Sequence, residues 1–153
     1  MTISQKGIDL IKNFEAYREK AYQDEAGIWT VGWGSTMWPD GNKVKKGDVM
    51  SREVADKVMA WELSNKIPHI ENYIGKAELN QNQYDAICSF VYNVGVGAFR
   101  SSTLLKKLIK NPNDATIAKE FEKWVFVTKK GQKVVSNGLV NRRKKESDLY
   151  FSK

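Results

Sequence analysis

The stretch "FEAYREKAYQDEAGIWTVGWGS", residues 14 to 35, holds Glu15, Asp24 and Thr30 with eight and five residues between them, among three glycines. Two carboxyls in different surroundings are what glycosidic cleavage requires. One, desolvated and protonated, donates to the leaving oxygen; the other, ionised, handles the developing positive charge or a water. A nearby hydroxyl can hold that water in line. By type alone these residues are ordinary: the chain has 18 acids, most Glu and Asp are solvated surface charges, and a strand threonine is commonplace. Gly27, Gly32 and Gly34 suit turns, or a wall where a ligand lies close to the backbone.

The elements that must position these groups follow from periodicity. Ile3, Gly7, Leu10, Ile11 and Phe14 fall at helical spacing, which predicts a helix over residues 4 to 14 with Thr2 or Ser4 as its cap. Glu15 then stands at or just past a helix C-terminus, an unfavourable place for a carboxylate on dipole grounds, so local stability does not account for it. From 17 to 47 the pattern alternates around glycine turns, the second at Pro39–Gly41, and predicts a small antiparallel lobe. Asp24 falls in its first strand or turn and Thr30 in the next strand. The rest is helical: Ser51 caps a segment with Val54, Val58 and Trp61 on one side, which Pro68 should kink or break. Asn80 and Gln83 form a capping-box pattern before Tyr84, Ile87, Cys88 and Val91, and Gly95 and Gly97 end that segment. A short helix follows Ser102. Asn113 or Asp114 caps the next, bearing Ile117, Phe121 and Trp124. A basic loop around Gly131 leads to a last helix from about 138 to 150. The expected fold class is α+β: one domain, residues 1–153, with a β-lobe set into a helical body and a cleft between them.

Composition bounds the function. With 153 residues, 41% hydrophobic and 28% charged, the chain is an ordinary globular sequence. No apolar run approaches the roughly 20 residues of a membrane span, and the N-terminus lacks a signal-peptide pattern. Cys88 is the only cysteine and His69 the only histidine, so neither a disulfide nor a zinc site is expected, and no metal or other cofactor. The formal charge of +7 suits nucleic acid, an anionic membrane or an acidic wall polymer without choosing among them. The basic clusters mostly lack the interleaved aromatics of a nucleic-acid platform.

The spacing of Glu15, Asp24 and Thr30 resembles that of the phage-type lysozymes, the endolysins of glycoside hydrolase family 24. "GIDLIKNFEAYREKAYQDEAGIWTVGWGST" is similar to that family's N-terminal block, "LNQNQYDAICSFVYNVGVGAFRSSTLL" to its central helices and "GLVNRRKKESDLY" to its closing helix. The resemblance implies a lysozyme-like fold that hydrolyses the β-1,4 bond between N-acetylmuramic acid and N-acetylglucosamine. Glu15 is then the general acid, and Asp24 with Thr30 activates a water, with inversion at the anomeric carbon. It also implies that Tyr92 and Asn93 line the sugar groove, Tyr92 stacking on or bounding a ring unless it is core. Ser102 is expected to bond the glycan or its peptide stem, and Arg142 or Arg143 to approach Glu15. Trp33 and Trp38 can present flat faces to sugars, and Trp33 can equally pack inward; Trp61 and Trp124 read as core. The family's usual histidine is replaced here by Ser35. An inactive wall-binding relative has no need of the intact acid, aspartate and threonine. A lytic transglycosylase needs no positioned water. The partners implied are peptidoglycan glycan strands, with no nucleic acid and no membrane insertion. The resemblance also implies a monomer made in the host cytoplasm, reaching the wall after a holin opens the inner membrane.

Overall fold

A computed structural model describes all of residues 1–153. Helix α1 spans Gln5–Glu15 and is capped by the Ser4 hydroxyl, which accepts from the Gly7 amide. Its course is fixed against a central helix α3, Gln81–Val94. The Ser4 amide donates to Asp85 Oδ1 at 2.9 Å and its hydroxyl bonds the other oxygen. Gly7 permits this crossing, because a Cβ there would stand 2.9 Å from Asp85 Cγ and 2.7 Å from Ile3. The far end of α1 carries Glu15, so the docking of Gly7 aims the carboxylate.

Ala16 then takes φ 49° and ψ 135°, a conformation that costs an L-residue on the order of 1–3 kcal/mol, and turns the chain into the β-lobe. Strand β1, Arg18–Gln23, pairs antiparallel with β2, Trp29–Gly32. Tyr22 lies opposite Thr30, so their side chains share one face. The ladder shifts register between Arg18 and Tyr22. Bridges between Met37 and Lys43 and between Lys20 and Val49 carry the lobe a few residues past its expected end.

Helix α2, Arg52–Ile74, starts at the Ser51 cap and runs unbroken through Pro68. Trp61, expected in the core, is 38% exposed on it. Helix α3 has the expected capping box of Asn80 and Gln83, and every residue from Gln83 to Tyr92 is buried. Other elements pack around it on all sides. A short helix α4, Val96–Ser101, stands where the sequence suggested only a glycine break. Helices α5, Thr103–Lys110, and α6, Ile117–Glu122, follow.

The segment expected as a basic loop is a second hairpin, β3 Phe126–Lys129 with β4 Gln132–Val135. Its two-residue turn, Lys130–Gly131, has φ of 50° and 77°, the left-handed pair that matches strand twist. Helix α7, Asn137–Tyr150, closes the chain from its Ser136 cap. One apolar cluster gathers Phe90, Phe99, Phe121 and Tyr150 around α3. Phe90 meets Phe121 and the half-buried Trp124 edge-on at 5.5 and 5.7 Å. A second cluster joins α1, the β-lobe and α2 through Ile11, Val31, Met50 and Val58.

Candidate active site

Between the β-lobe and the helical body lies a cleft of about 690 Å³, lined by Glu15, Asp24, Thr30, Tyr92, Asn93 and Arg142 among others. The last turn of α1 brings Glu15, the β1–β2 turn brings Asp24, β2 brings Thr30, and α3 and α7 supply the facing wall. Six of the nine residues singled out from the sequence meet here.

Glu15 is held on both sides. Its Oε1 is ion-paired with Arg142 Nη1, and its Oε2 lies against Gly34 so closely that a Cβ there would stand 1.6 Å away. Gly34 has φ 80°, so both backbone and contact call for glycine. Arg142, 4% exposed at its side chain, also donates to the Ser89 carbonyl at 3.0 Å and to Glu146 at 3.2 Å. That network fixes the guanidinium.

Asp24 is oriented by its own turn. Oδ1 accepts from the amides of Ala26 and Ile28, each at 2.9 Å, and Oδ2 has no donor within the protein. Thr30 donates its hydroxyl proton to the Ile28 carbonyl at 2.9 Å, leaving its lone pairs to face the cleft. Each residue thus brings an acceptor to the cleft wall. Two further side chains of the β-lobe reach the cleft without having been singled out. Tyr22 is the cross-strand partner of Thr30, and its phenol is raised above its ordinary range by burial and by the charge of Glu15. Glu25 accepts from the Ser136 hydroxyl at 3.1 Å, joining the β-lobe to the start of α7. Alternation along β1 from the lobe's own turn could have found Tyr22. Nothing local marks Glu25, whose partner is 111 residues away.

Three expectations need correction. Trp33 is 6% exposed and lies in the second apolar cluster, not in the cleft; its indole donates to Asp56 at 2.8 Å. That bond first, and Lys12 next, hold Asp56 below the usual carboxylate range. Ser102 is 3% exposed and belongs to an adjoining groove, its hydroxyl committed as the α5 cap to Leu105 and as a donor to Phe99. It has no proton left for a glycan. Arg143 is fully buried and turned from Glu15 to Glu146, at 2.9 Å, and to Asn93. Burial lowers its guanidinium to about 10, against the opposing pull of Glu146. Arg142 is therefore the arginine that meets Glu15. Tyr92 does line the cleft, but it is 8% exposed with its hydroxyl on the Trp33 carbonyl at 2.9 Å, so it bounds the floor and offers no open face. Asn93 lines the cleft with its amide oxygen tied to Arg143.

The chain is similar to known proteins over nearly its whole length. The family profile described as phage lysozyme matches residues 12–146. The endolysin of Acyrthosiphon pisum secondary endosymbiont phage 1 is 42% identical over 153 residues, covering 99% of each chain. Among solved structures, the endolysin from Escherichia coli O157:H7 phage FAHEc1 superposes with a TM-score of 0.88 at 38% identity, over 99% of this chain and 94% of that one. The muramidase domain of SpmX from Asticaccaulis excentricus gives 0.82 at 30% identity, over 99% of both. The mostly helical body with its small antiparallel sheets is thus the lysozyme-like α+β fold, and the chain belongs to the phage lysozyme family.

Proposed function

We propose that this cleft hydrolyses the β-1,4 bond between N-acetylmuramic acid and N-acetylglucosamine in peptidoglycan, with inversion. The observation that carries the reading is the pairing, across one cleft, of a carboxyl fixed by Arg142 and Gly34 with an aspartate whose Oδ2 is free. Glu15 gives its proton to the glycosidic oxygen as the bond to the anomeric carbon breaks. Asp24 takes a proton from a water that Thr30 helps to hold, and that water's oxygen bonds the anomeric carbon from the opposite face. Solvent then returns a proton to Glu15 and removes one from Asp24. Arg142 steadies the negative charge that Glu15 carries after donation.

The same reading makes the chain a single catalytic unit acting as a monomer on glycan strands. No helix is long and apolar enough to cross a membrane, which fits a lysin that gains access to the wall through a holin-made opening. The +7 charge favours an anionic wall and predicts binding that weakens with salt. Digestion of purified peptidoglycan followed by mass spectrometry and rapid NMR tests the reading. Hydrolysed muramic ends, released first as the inverted anomer, are expected. Products ending in 1,6-anhydromuramic acid, or the retained anomer first, would refute it.

A further inference from the structure

Asn93 stands on the last turn of α3, where two concave surfaces meet. It lines the cleft, and it also lines the adjoining groove of about 610 Å³ that holds Ser102, Trp124 and Phe126. Leu139 is the other residue common to both. A substituent that leaves the cleft for the groove therefore passes the Asn93 side chain, which is exposed.

An exposed amide can ordinarily turn either end outward, because its last torsion is roughly two-fold. Here one end is chosen for it. Arg143 Nη2 donates to Asn93 Oδ1. A guanidinium only donates, so it can hold the oxygen and never the nitrogen. Asn93 Nδ2, with its protons, is left without a partner in the protein and free for a ligand.

The arginine that makes this choice is itself fixed. Arg143 is fully buried, Glu146 Oε1 meets its charge at 2.9 Å, and its guanidinium lies 5.0 Å from the centroid of the Phe90 ring. Glu146 in turn accepts from the Ser89 hydroxyl at 2.6 Å. The Nε and Nη1 atoms of Arg143 make no hydrogen bond, so the bond to Asn93 is the one that this buried group forms. An apolar side chain of similar volume would fill the same space at lower cost. What the guanidinium adds is the orientation of one amide on the cleft wall. Asp24 and Thr30 bring acceptors to the cleft; Asn93 brings a fixed donor.

We propose that Arg143 is a positioning residue that turns the Asn93 amide nitrogen toward the substrate, so that Asn93 donates to an amide carbonyl oxygen of the glycan strand, either the acetamido group of a sugar or the lactyl carbonyl that begins a peptide stem. This rests on the reading of the cleft as a peptidoglycan site.

Asn93→Asp tests the donor with almost no change of shape. One oxygen still meets Arg143, and the other sets an acceptor where the donor stood. On soluble peptidoglycan strands KM is expected to rise about tenfold, with kcat changed by less than about twofold. The melting temperature should not fall, because the buried guanidinium gains a charged partner. Arg143→Met frees the amide to populate both orientations, and KM of the folded fraction should rise about twofold; Arg143→Lys, again a pure donor, should hold KM near the wild-type value. An unchanged KM in Asn93→Asp overturns the inference, and so does a wild-type KM in folded Arg143→Met. If Arg143→Met does not fold, nitrogen–proton NMR takes its place: the Asn93 amide pair, followed in Glu15→Gln, must shift on titration with strands, and a pair that stays in place overturns the inference. An oligomer of N-acetylglucosamine, which has acetamido groups but no lactyl group, identifies the carbonyl. Weaker binding of that oligomer by Asn93→Asp assigns the acetamido group; weakening on strands alone assigns the lactyl carbonyl. Wild-type protein that neither binds nor cleaves the strands defeats the underlying reading instead, so the two failures are separable.

Discussion

Replacing Gly34 with alanine probes the seat of Glu15 with a single methyl group. The added Cβ would lie 1.6 Å from Glu15 Oε2 and 2.6 Å from Cδ, whereas such contacts essentially never fall below 3.0 Å. The carboxylate oxygen must therefore retreat by about 1.4 Å, or the β-lobe must shift away from α1. A φ of 80° adds its own strain, about 1–2 kcal/mol for an L-residue. Movement on the 1 Å scale at a reacting group costs on the order of 100-fold in rate. Gly34→Ala is thus expected to lose about 1–2 kcal/mol in urea unfolding and about 100-fold or more in kcat on peptidoglycan. Gly27→Ala is a matched control, since its φ of 82° imposes similar strain with nothing within 4 Å of the new carbon. It should lose the stability and keep most of the turnover. Equal activity losses in the two variants would show that the contact with Glu15 does not govern catalysis.

Further outcomes follow from the same geometry. Asp24→Asn keeps an acceptor for the Ala26 and Ile28 amides but removes the charge that takes up the water's proton. Turnover should fall about 10²–10⁴-fold with little change in melting temperature. Arg142→Met and Arg143→Met both strip a partner from buried Glu146 and should each cost about 3–5 kcal/mol in denaturant melts. Only Arg142→Met should also depress kcat of the folded fraction, because Arg142 alone touches Glu15. Stability against pH carries the signature of Glu62. Burial on α2 holds its folded midpoint above the unfolded one, about 4.3, so the folded state binds the extra proton and this contribution falls as pH rises through that window. Glu62→Gln should flatten that decline in equilibrium unfolding. Glu120, held low chiefly by Lys123, acts oppositely: its contribution is present above the unfolded value and lost as pH falls.

Much of this site is legible in the sequence because its parts are local. A helix ending at residue 15, a tight turn at 24 and a strand at 30 need only periodicity and glycine chemistry to place three side chains along one wall. The rest depends on partners far along the chain. Arg142 and Arg143 are adjacent on one helix and both buried, and only the packing of α7 on α3 decides which faces Glu15. Trp33 follows the same logic: its ring turns inward because Asp56 on α2 receives its indole proton. Trp61 departs the other way and stays partly open to solvent, although its helical spacing matches that of buried Val58. The second hairpin hides behind its lysines, though Phe126–Val127–Thr128 and Val134–Val135 flank a two-residue glycine turn. Helix α4 occupies only six residues between Gly95 and Ser102, too few for a periodic signal.

The mechanism stands or falls on one proton, carried by the side chain at position 15 and delivered to the leaving sugar. New reducing ends released from purified peptidoglycan, counted for the wild type and for Glu15→Gln, report that delivery, with matched unfolding curves showing both proteins folded. A loss of about 10²–10⁴-fold in the variant is the expected result. A folded Glu15→Gln variant that releases ends at the wild-type rate would contradict the assignment of the acid.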